Sequence, residues 1–167
     1  TLGTNNIDFR SRSHSDEELD FLSTVSTNAT YKDIDNADHV VLINFEPEDE
    51  SPIVFLRIYK QVHKRAIKVT SIASLASRGS EKLNANLIKT APGNEVTAIN
   101  SITGLTGKSV VLVGERAAET QGALSAVAKL VKDSGAKLGW VPRRAGERGA
   151  IAAGAIPNSL PGNRLIS

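Results

Sequence analysis

The sequence predicts an α/β fold in three layers, α/β/α, around a mainly parallel sheet. Two apolar runs carry this prediction, Val-Val-Leu-Ile-Asn at residues 40–44 and Val-Val-Leu-Val-Gly at residues 110–114, at a constant offset of 70 positions. Neither run alternates with polar residues, and each precedes a helical stretch and a further apolar run, as strands buried on both faces do. We therefore expect a Rossmann-like sheet, with ligands or partners at the carboxyl ends of its strands.

The first strand–helix–strand unit is predicted over residues 37–100. Ser51 is placed to cap a helix that Pro52 begins, because proline lacks the N–H that would stay unsatisfied at that position. The face of this helix that packs on the sheet is defined by Val54, Ile58 and Val62, with Phe55 and Tyr59 beside them. The later elements of the unit are a strand at residues 67–72, a further strand end, a turn at Pro92-Gly93 and a helix from Glu95.

The second unit is predicted over residues 101–149. Thr120 is placed as the cap of its helix, and Gly135 is placed as the left-handed residue that ends it. The buried stripe of this helix consists of Leu124, Val127, Ala128 and Val131. A strand at residues 137–141 follows, which Pro142 ends, and residues 143–149 are expected to form a basic, glycine-bearing loop.

The flanks are predicted as an N-terminal arm and helix over residues 1–36 and a partly irregular tail over residues 150–167. Ser15 and Glu18 have the spacing of a capping box, so a short helix is expected through about Val25. A chain of 167 residues suffices for one sizeable core, so the alternative remains that all four segments form one domain.

The amino-acid composition argues against several classes of partner and ligand. Twenty basic side chains against 18 acidic ones leave a formal charge of +2, and with few aromatic residues this predicts no nucleic-acid partner. Cysteine is absent, so the chain holds neither a disulfide nor a thiolate ligand for a metal or cluster. There is no apolar run of about 18 residues and no signal peptide, which predicts no direct membrane insertion. Methionine is absent even at position 1, so we expect a segment of a longer protein.

Two stretches match phosphate-binding loops only in part. Gly-Lys-Ser at residues 107–109 lacks the glycine five residues earlier, where Ile102 stands, and it precedes a strand instead of a helix. We interpret it as a turn into that strand. Residues 114–122 lack the G-x-G-x-x-G spacing and carry Glu115 and Glu119 where a pyrophosphate would lie. We therefore expect no dinucleotide there, and a smaller ligand stays open.

The other polar residues have a plain and a functional interpretation. The three histidines, which lack a partner at metal-ligand spacing, are His14, His39 and His63. Ser13 beside His14 lacks the third group that a hydrolase needs. An acidic run after the first strand suits acid–base chemistry or a divalent ion, but we favour a solvated loop that complements a helix N-terminus. The acidic run consists of Glu46, Glu48, Asp49 and Glu50. A basic cluster of Arg143, Arg144 and Arg148 suits phosphate or an acidic partner, but we again favour a plain surface loop.

Several segments are similar to the molybdopterin oxidoreductase superfamily. They are Thr-Asn-Asn-Ile-Asp at 4–8, Ala-Asp-His-Val-Val-Leu-Ile-Asn at 37–44, Glu-Pro-Glu-Asp-Glu-Ser-Pro at 46–52, Ala-Pro-Gly at 91–93, Trp-Val-Pro-Arg-Arg-Ala-Gly-Glu-Arg-Gly at 140–149 and Ala-Ile-Pro at 155–157. Their order and spacing most resemble the large iron-sulfur subunit, known as the G subunit, of bacterial proton-pumping NADH-quinone oxidoreductase (respiratory complex I), in an actinobacterial style. The resemblance implies related α/β/α domains of the formate dehydrogenase and DMSO reductase kind, produced by internal duplication.

The chain departs from the cofactor-bearing relatives at two places. Those relatives carry a Cys-His pair after the first motif, where this chain has Ser13 and His14. Their Val-Asp-Pro-Arg stretch, which binds the pterin nucleotide, corresponds here to Ser-Ile-Ala-Ser-Leu at residues 71–75, without a ribose acceptor or a phosphate partner. The resemblance thus implies a domain without a cofactor, with iron-sulfur clusters in an N-terminal part of the parent subunit outside this chain.

Three functions follow as hypotheses. The resemblance implies a non-catalytic scaffold of the peripheral arm of complex I, in contact with other peripheral-arm subunits on the cytoplasmic side of the membrane. The alternatives are a fragment of an active molybdopterin-dependent oxidoreductase and a small-molecule or nucleotide-binding module. For these, a residual crevice at the ends of the repeated strands is expected to be lined by Asn44, Gly114, Glu115 and Arg116. No catalytic and no metal-binding residue is predicted.

Overall fold

Five parallel strands form the central sheet of the computed structural model, which describes residues 4, 6–10, 16–24, 28–157, 159–162 and 164–165. The strands are β1 (His39–Ile43), β2 (Lys68–Ala73), β3 (Asn86–Lys89), β4 (Val110–Gly114) and β5 (Lys137–Val141). Their order in the sheet is β3-β2-β1-β4-β5. The predicted α/β class with a mainly parallel sheet is confirmed, and the predicted strand at residues 67–72 begins and ends one residue later.

The two repeated runs lie side by side in this sheet. β1 pairs with β4 in parallel, and the register aligns Val40 with Val110 and Ile43 with Val113, which is the sequence offset of 70. The chain leaves β1 toward β2 on one side and leaves β4 toward β5 on the other. Both predicted units therefore contribute to one sheet, and the point between β1 and β4 is where the strand order reverses.

Helices cover both faces of the sheet. They are α1 (Asp16–Thr24), α2 (Tyr31–Asn36), α3 (Pro47–Glu50), α4 (Pro52–Arg65), α5 (Arg78–Lys82), α6 (Glu95–Asn100), α7 (Ala123–Ser134) and α8 (Glu147–Ala152), with a 3-10 helix at Glu115–Glu119. Val41 and Ile43 share one apolar cluster with residues of α1, α6 and α7. Val40 and Leu42 share the other cluster with residues of α2 and α4. Because successive strand residues face opposite sides, the three predicted layers are confirmed.

The helix boundaries correct one predicted cap. α4 begins at Pro52 with Ser51 at the cap position, as predicted, although the Ser51 side chain makes no capping hydrogen bond. Gly135 ends α7 with a φ of 71°, also as predicted. The prediction that Thr120 caps α7 was wrong, because the segment before this helix winds as a 3-10 helix and α7 begins only after Gly122.

The C-terminal part is more regular than the sequence indicated. Residues 147–152 form α8 and not the end of a basic loop, because Ile151 and the following Ile156 are buried in the core. A short antiparallel pair follows, β6 (Ser159–Leu160) with β7 (Arg164–Leu165). The predicted capping residue Ser15 and the predicted helix end Val25 lie outside the described residues. None of the helices in the described part of the chain combines the length and apolar character that a membrane span requires.

Candidate functional site

An open cleft of about 560 Å³ lies at the carboxyl ends of the strands, beside the point where the strand order reverses. In parallel α/β sheets this is where ligands bind. The side chains that carry its chemistry are Asn44, Ser71, Ser77, Thr90, Glu95 and Arg116. The cleft therefore contains two of the four residues that the sequence predicted for the crevice, Asn44 and Arg116.

Asn44, directly after β1, contacts Gly114, at the end of β4, through the backbone. Asn44 follows β1 with a φ of 47°, a left-handed conformation that asparagine tolerates better than most residues. Its carbonyl oxygen points at Gly114, where an added Cβ atom would lie only 2.4 Å from it. The same carbonyl accepts hydrogen bonds from Nε and Nη2 of Arg116, both at 3.3 Å. Asn44, Gly114 and Arg116 therefore lie together, and their contacts fill the crevice between the strands.

The Arg116 guanidinium is already paired. Its Nη2 atom lies 2.5 Å from Oε1 of Glu50, which also accepts a hydrogen bond from the backbone N–H of Glu46 at 2.8 Å. A carboxylate that binds the arginine and fixes the turn before α4 leaves little of the positive charge for an anionic ligand.

Glu95 is the buried centre of the cleft floor. One of its oxygens accepts a hydrogen bond from Nδ2 of Asn44 at 3.3 Å, and the other accepts from the backbone N–H of Gly93 at 2.7 Å and the hydroxyl of Thr120 at 2.9 Å. This carboxylate therefore ties β1 to the turn before α6 and to the segment before α7. The sequence identified Glu95 only as a helix start, since its partner Thr120 lies 25 positions away.

The acidic run after β1 serves the backbone and nearby cations. Glu46 accepts a hydrogen bond from the Ser77 hydroxyl and one at 3.2 Å from the backbone N–H of Glu48, while the Glu48 carboxylate pairs with Lys82. Throughout the ranges that the structure describes, no group of three or more histidine or acidic residues could hold a metal ion. These contacts fit the favoured interpretation, in which the run complements a helix N-terminus.

Glu115 faces a different part of the molecule from its neighbour Arg116. It is 5% exposed and lines a second, small cavity of about 80 Å³ together with Arg10, Trp140 and Glu147. The Nη1 atom of Arg143 lies 3.9 Å from its carboxylate. Of the four predicted crevice residues, Glu115 is therefore the one that the fold does not place with the others, and Arg143 belongs to this second cavity.

A carboxylate from a distant helix caps α7. The helix begins after Gly122, which has no side chain to cap it, and Glu17 of α1 accepts hydrogen bonds from the backbone N–H of Gly122 at 2.7 Å and from that of Ser125. In related folds the N-terminus of a helix after a central strand binds phosphate, because its N–H groups and dipole favour an anion. Here Glu17 occupies that position.

Two histidines and the Gly-Lys-Ser turn have structural partners. His39 Nε2 lies 2.8 Å from the Thr70 hydroxyl, and burial together with the nearby Lys68 lowers the pKa of His39. His63 Nδ1 lies 2.9 Å from the Tyr59 carbonyl oxygen.

Ser109, the last residue of the Gly-Lys-Ser stretch, donates a hydrogen bond to Asp38 at 2.8 Å, so the turn into β4 is confirmed. The pair Ser13 and His14 lies outside the described residues.

Comparison with known proteins identifies the family. A model of the molybdopterin oxidoreductase family matches residues 1–132. The chain belongs to the molybdopterin oxidoreductase family. It is 50% identical over 178 aligned positions to the G subunit of NADH-quinone oxidoreductase from Mycobacterium bovis and to that from Mycobacterium tuberculosis. It is 39% identical over 196 positions to the corresponding G subunit from Streptomyces coelicolor.

The coverage of these relatives is one-sided. The match to each mycobacterial protein takes in 100% of this chain but 22% of the relative, and the Streptomyces match takes in 98% and 23%. This molybdopterin oxidoreductase domain thus spans less than a quarter of the length of the relatives that it matches.

Proposed function

We propose that this chain is a section of the G subunit of a proton-pumping NADH-quinone oxidoreductase, in which it acts as a cofactor-free scaffold of the peripheral arm. The observation that carries the proposal is the 50% identity to two proteins of that name over the whole of this chain. The five-stranded sheet, with β1 at its centre and its repeat β4 beside it, supplies a rigid body for such a role.

The residues at the strand ends do not fit the pterin nucleotide of the wider family. A pyrophosphate needs open helix N-termini and unpaired cations. Glu17 already fills the N-terminus of α7, and α3, which leads into α4, carries Glu48, Asp49 and Glu50. Contact between Asn44 and Gly114 takes up the space between the central strands.

The charge of the cleft also opposes an anionic ligand. Glu46, Asp49 and Glu119 line it together with the buried Glu95, whereas Arg116 is its one basic lining residue in the described part of the chain, and it is bound to Glu50. Ser71, Ser74 and Leu75 line the cleft, and the family resemblance implies that they replace the aspartate and arginine that would hold the nucleotide. Both observations support a domain that keeps the fold and carries no cofactor.

The partners and location follow from the same proposal. The chain would contact other peripheral-arm subunits of complex I on the cytoplasmic side of the membrane. Electrons would pass through iron-sulfur clusters held in another part of the parent subunit. No residue of this chain takes a catalytic role in the proposal, which leaves its side chains free to serve packing and contact with neighbours.

The cleft supports one second candidate, a small-molecule-binding module. Its volume of about 560 Å³ lies within the range of ligand sites. Ser71, Ser77 and Thr90 offer hydroxyl groups, and the acidic rim selects against phosphate and in favour of a neutral or cationic ligand.

Two measurements test the proposal. Elemental analysis and mass spectrometry of the denatured, purified chain should find no molybdenum and no guanine nucleotide, and the chain extended to its complete reading frame should co-purify with NADH-dehydrogenase activity in membrane extracts. Stoichiometric molybdopterin would overturn the scaffold assignment. Absence of the chain from the active complex would overturn its place in complex I. Cooperative thermal stabilisation by a neutral sugar, about 2.7 kcal/mol at a hundredfold excess over Kd, would favour the second candidate.

A further inference from the structure

The outer face of α4 carries an exposed apolar patch. Ile53 and Leu56 are 55% and 57% exposed, and Tyr59 is 38% exposed one turn further along. The opposite face of the same helix is buried through Val54, Phe55, Ile58 and Val62. A surface helix normally presents polar residues on the face that points away from the core. No other part of the described domain therefore buries the apolar side chains on the first half of the outer face of α4.

The second half of the same outer face is basic. Lys60, His63 and Lys64 are exposed there, and α4 contains no aspartate or glutamate. Among the residues that the structure describes, no carboxylate pairs with Lys60 or Lys64. Arg57, by contrast, pairs with Asp35 at 2.5 Å and lies over the ring of Tyr31 at 4.5 Å, so it belongs to the contact between α4 and α2.

We propose that this outer face of α4, residues 53, 56, 59, 60 and 64, docks another segment of the same, longer polypeptide, one that presents aliphatic side chains followed by carboxylates. The inference rests on the proposed function, because it requires the chain to be a section of a protein whose relatives are more than four times as long. Aliphatic groups would cover Ile53 and Leu56, and carboxylates would pair with Lys60 and Lys64.

The size of the patch favours a segment of the same polypeptide over a separate protein. A stable interface between separate chains buries about 800 Å² on each partner, and a patch one helix wide with three apolar side chains falls short of that. Covalent linkage removes this requirement, since a tethered segment binds at a high effective concentration.

The pattern of the face also favours protein over a membrane surface. A helix that lies in a membrane interface has a broad apolar face with basic residues along the polar side of its whole length. In α4 the broad apolar face is turned to the sheet, and on the outer face the apolar and basic residues occupy successive halves. Because the apolar residues precede the basic ones along the axis of α4, this face suits a partner segment in which apolar residues lie in one part and acidic residues in the next.

The test compares side-chain accessibility in the 167-residue chain and in the complete polypeptide, each without other complex I subunits. Hydroxyl-radical footprinting, read by mass spectrometry, should show several-fold slower oxidation of Leu56 and Tyr59 in the complete polypeptide. Carbodiimide cross-linking should join Lys60 or Lys64 to an aspartate or glutamate outside residues 1–167. Equal oxidation of Tyr59 in both proteins would overturn the proposal.

A matched pair of variants separates docking from general burial. Ile53→Glu combined with Leu56→Glu should return the oxidation rate of Tyr59 to that of the 167-residue chain, whereas Leu75→Glu, at another exposed leucine, should leave Tyr59 protected. Protection that needs phosphatidylglycerol vesicles, or that rises with protein concentration, would overturn docking within one polypeptide. A complete polypeptide that protects Tyr59 but fails to enter complex I would contradict the proposed function and leave the docking intact.

Discussion

Asn44 and Gly114 determine how the ends of β1 and β4 meet at the site. A ligand that bound between the ends of β1 and β4 would need open space there. Instead the left-handed Asn44 turns its carbonyl oxygen onto Gly114, and Arg116 holds it there with two hydrogen bonds. Glycine at position 114 thus permits backbone contact, which is the opposite of making room for phosphate.

Gly114→Ala should destabilise the fold by about 1–3 kcal/mol, the usual cost of overpacking a core. The new methyl group would lie 2.4 Å from the Asn44 oxygen and 3.3 Å from the Cα atom of Phe45, and backbone atoms relax poorly. Urea unfolding measures the effect. Gly107→Ala is the matched control, since its methyl group would meet nothing closer than 3.8 Å. Equal stability of the two variants would contradict the close approach.

His39 should make stability depend on pH. Burial and the nearby Lys68 lower its pKa from 6.5 in the folded state, although Asp38 opposes them. The unfolded chain therefore binds more protons between the two pKa values, so the free energy of unfolding falls as the pH drops below about 6.5. Urea titrations at several pH values from 7 to 5 should show this slope reduced in His39→Gln. The exposed His63→Gln should keep the slope that His39 produces, and loss of the slope there would contradict this assignment.

Helix α7 depends on helix α1 for its first turn. The helix has twelve residues and an apolar stripe, but Gly122 offers no side chain for its first N–H groups. Glu17 supplies the missing acceptor from 105 positions away. The contact fixes α1 on the outer layer and completes α7 at the same time.

Glu17→Ala should lower stability by about 1 kcal/mol, because a helix loses both a capping acceptor and a charge that favours its dipole. Thermal or urea unfolding measures the loss, and added salt should reduce the part that comes from the dipole. Glu119→Ala removes an exposed carboxylate of the same charge and should change stability by less. If both variants lose the same amount, the cap is not the cause.

Local spacing explains which elements could be predicted. α4 and α7 follow from apolar residues at helical intervals, and β1 and β4 from apolar runs without polar alternation, since both patterns depend on near neighbours alone. Strand order, the cap from Glu17 and the helix α8 depend on contacts between distant residues. The candidate site also has residues that local sequence predicts and residues whose position depends on distant contacts. Asn44 and Gly114 could be found at the ends of the repeated strands, whereas Glu115 could not be placed, because the 3-10 turn sends adjacent side chains to opposite sides.

The pairing of β1 with β4 joins the two strand–helix–strand units into one body. Residues of both strands occur in both apolar clusters, so neither half has a core of its own. The chain should therefore unfold as one cooperative unit, as small domains usually do.

Coincident transitions test this prediction. Trp140, the only tryptophan, is buried in β5 and reports on the second half by fluorescence, while far-UV circular dichroism reports on the helices of both. The two midpoints should agree. Leu42 lies in β1, on the other face of the sheet from Trp140. Leu42→Ala should lower the free energy of unfolding by about 2–5 kcal/mol and should shift both midpoints together. A fluorescence midpoint that stays in place would indicate two independent halves.

The same pairing gives the nascent chain an exposed edge. β1 leaves the ribosome about 70 residues before its partner β4, a delay of about 4–14 s at ordinary rates of synthesis. During that time one edge of β1 has unpaired N–H and C=O groups, and its side chains are apolar on both faces. Such an edge is a template for pairing with another chain. We therefore expect aggregation during synthesis to be the characteristic failure of this topology, and a shortened chain that ends before residue 110 should be insoluble.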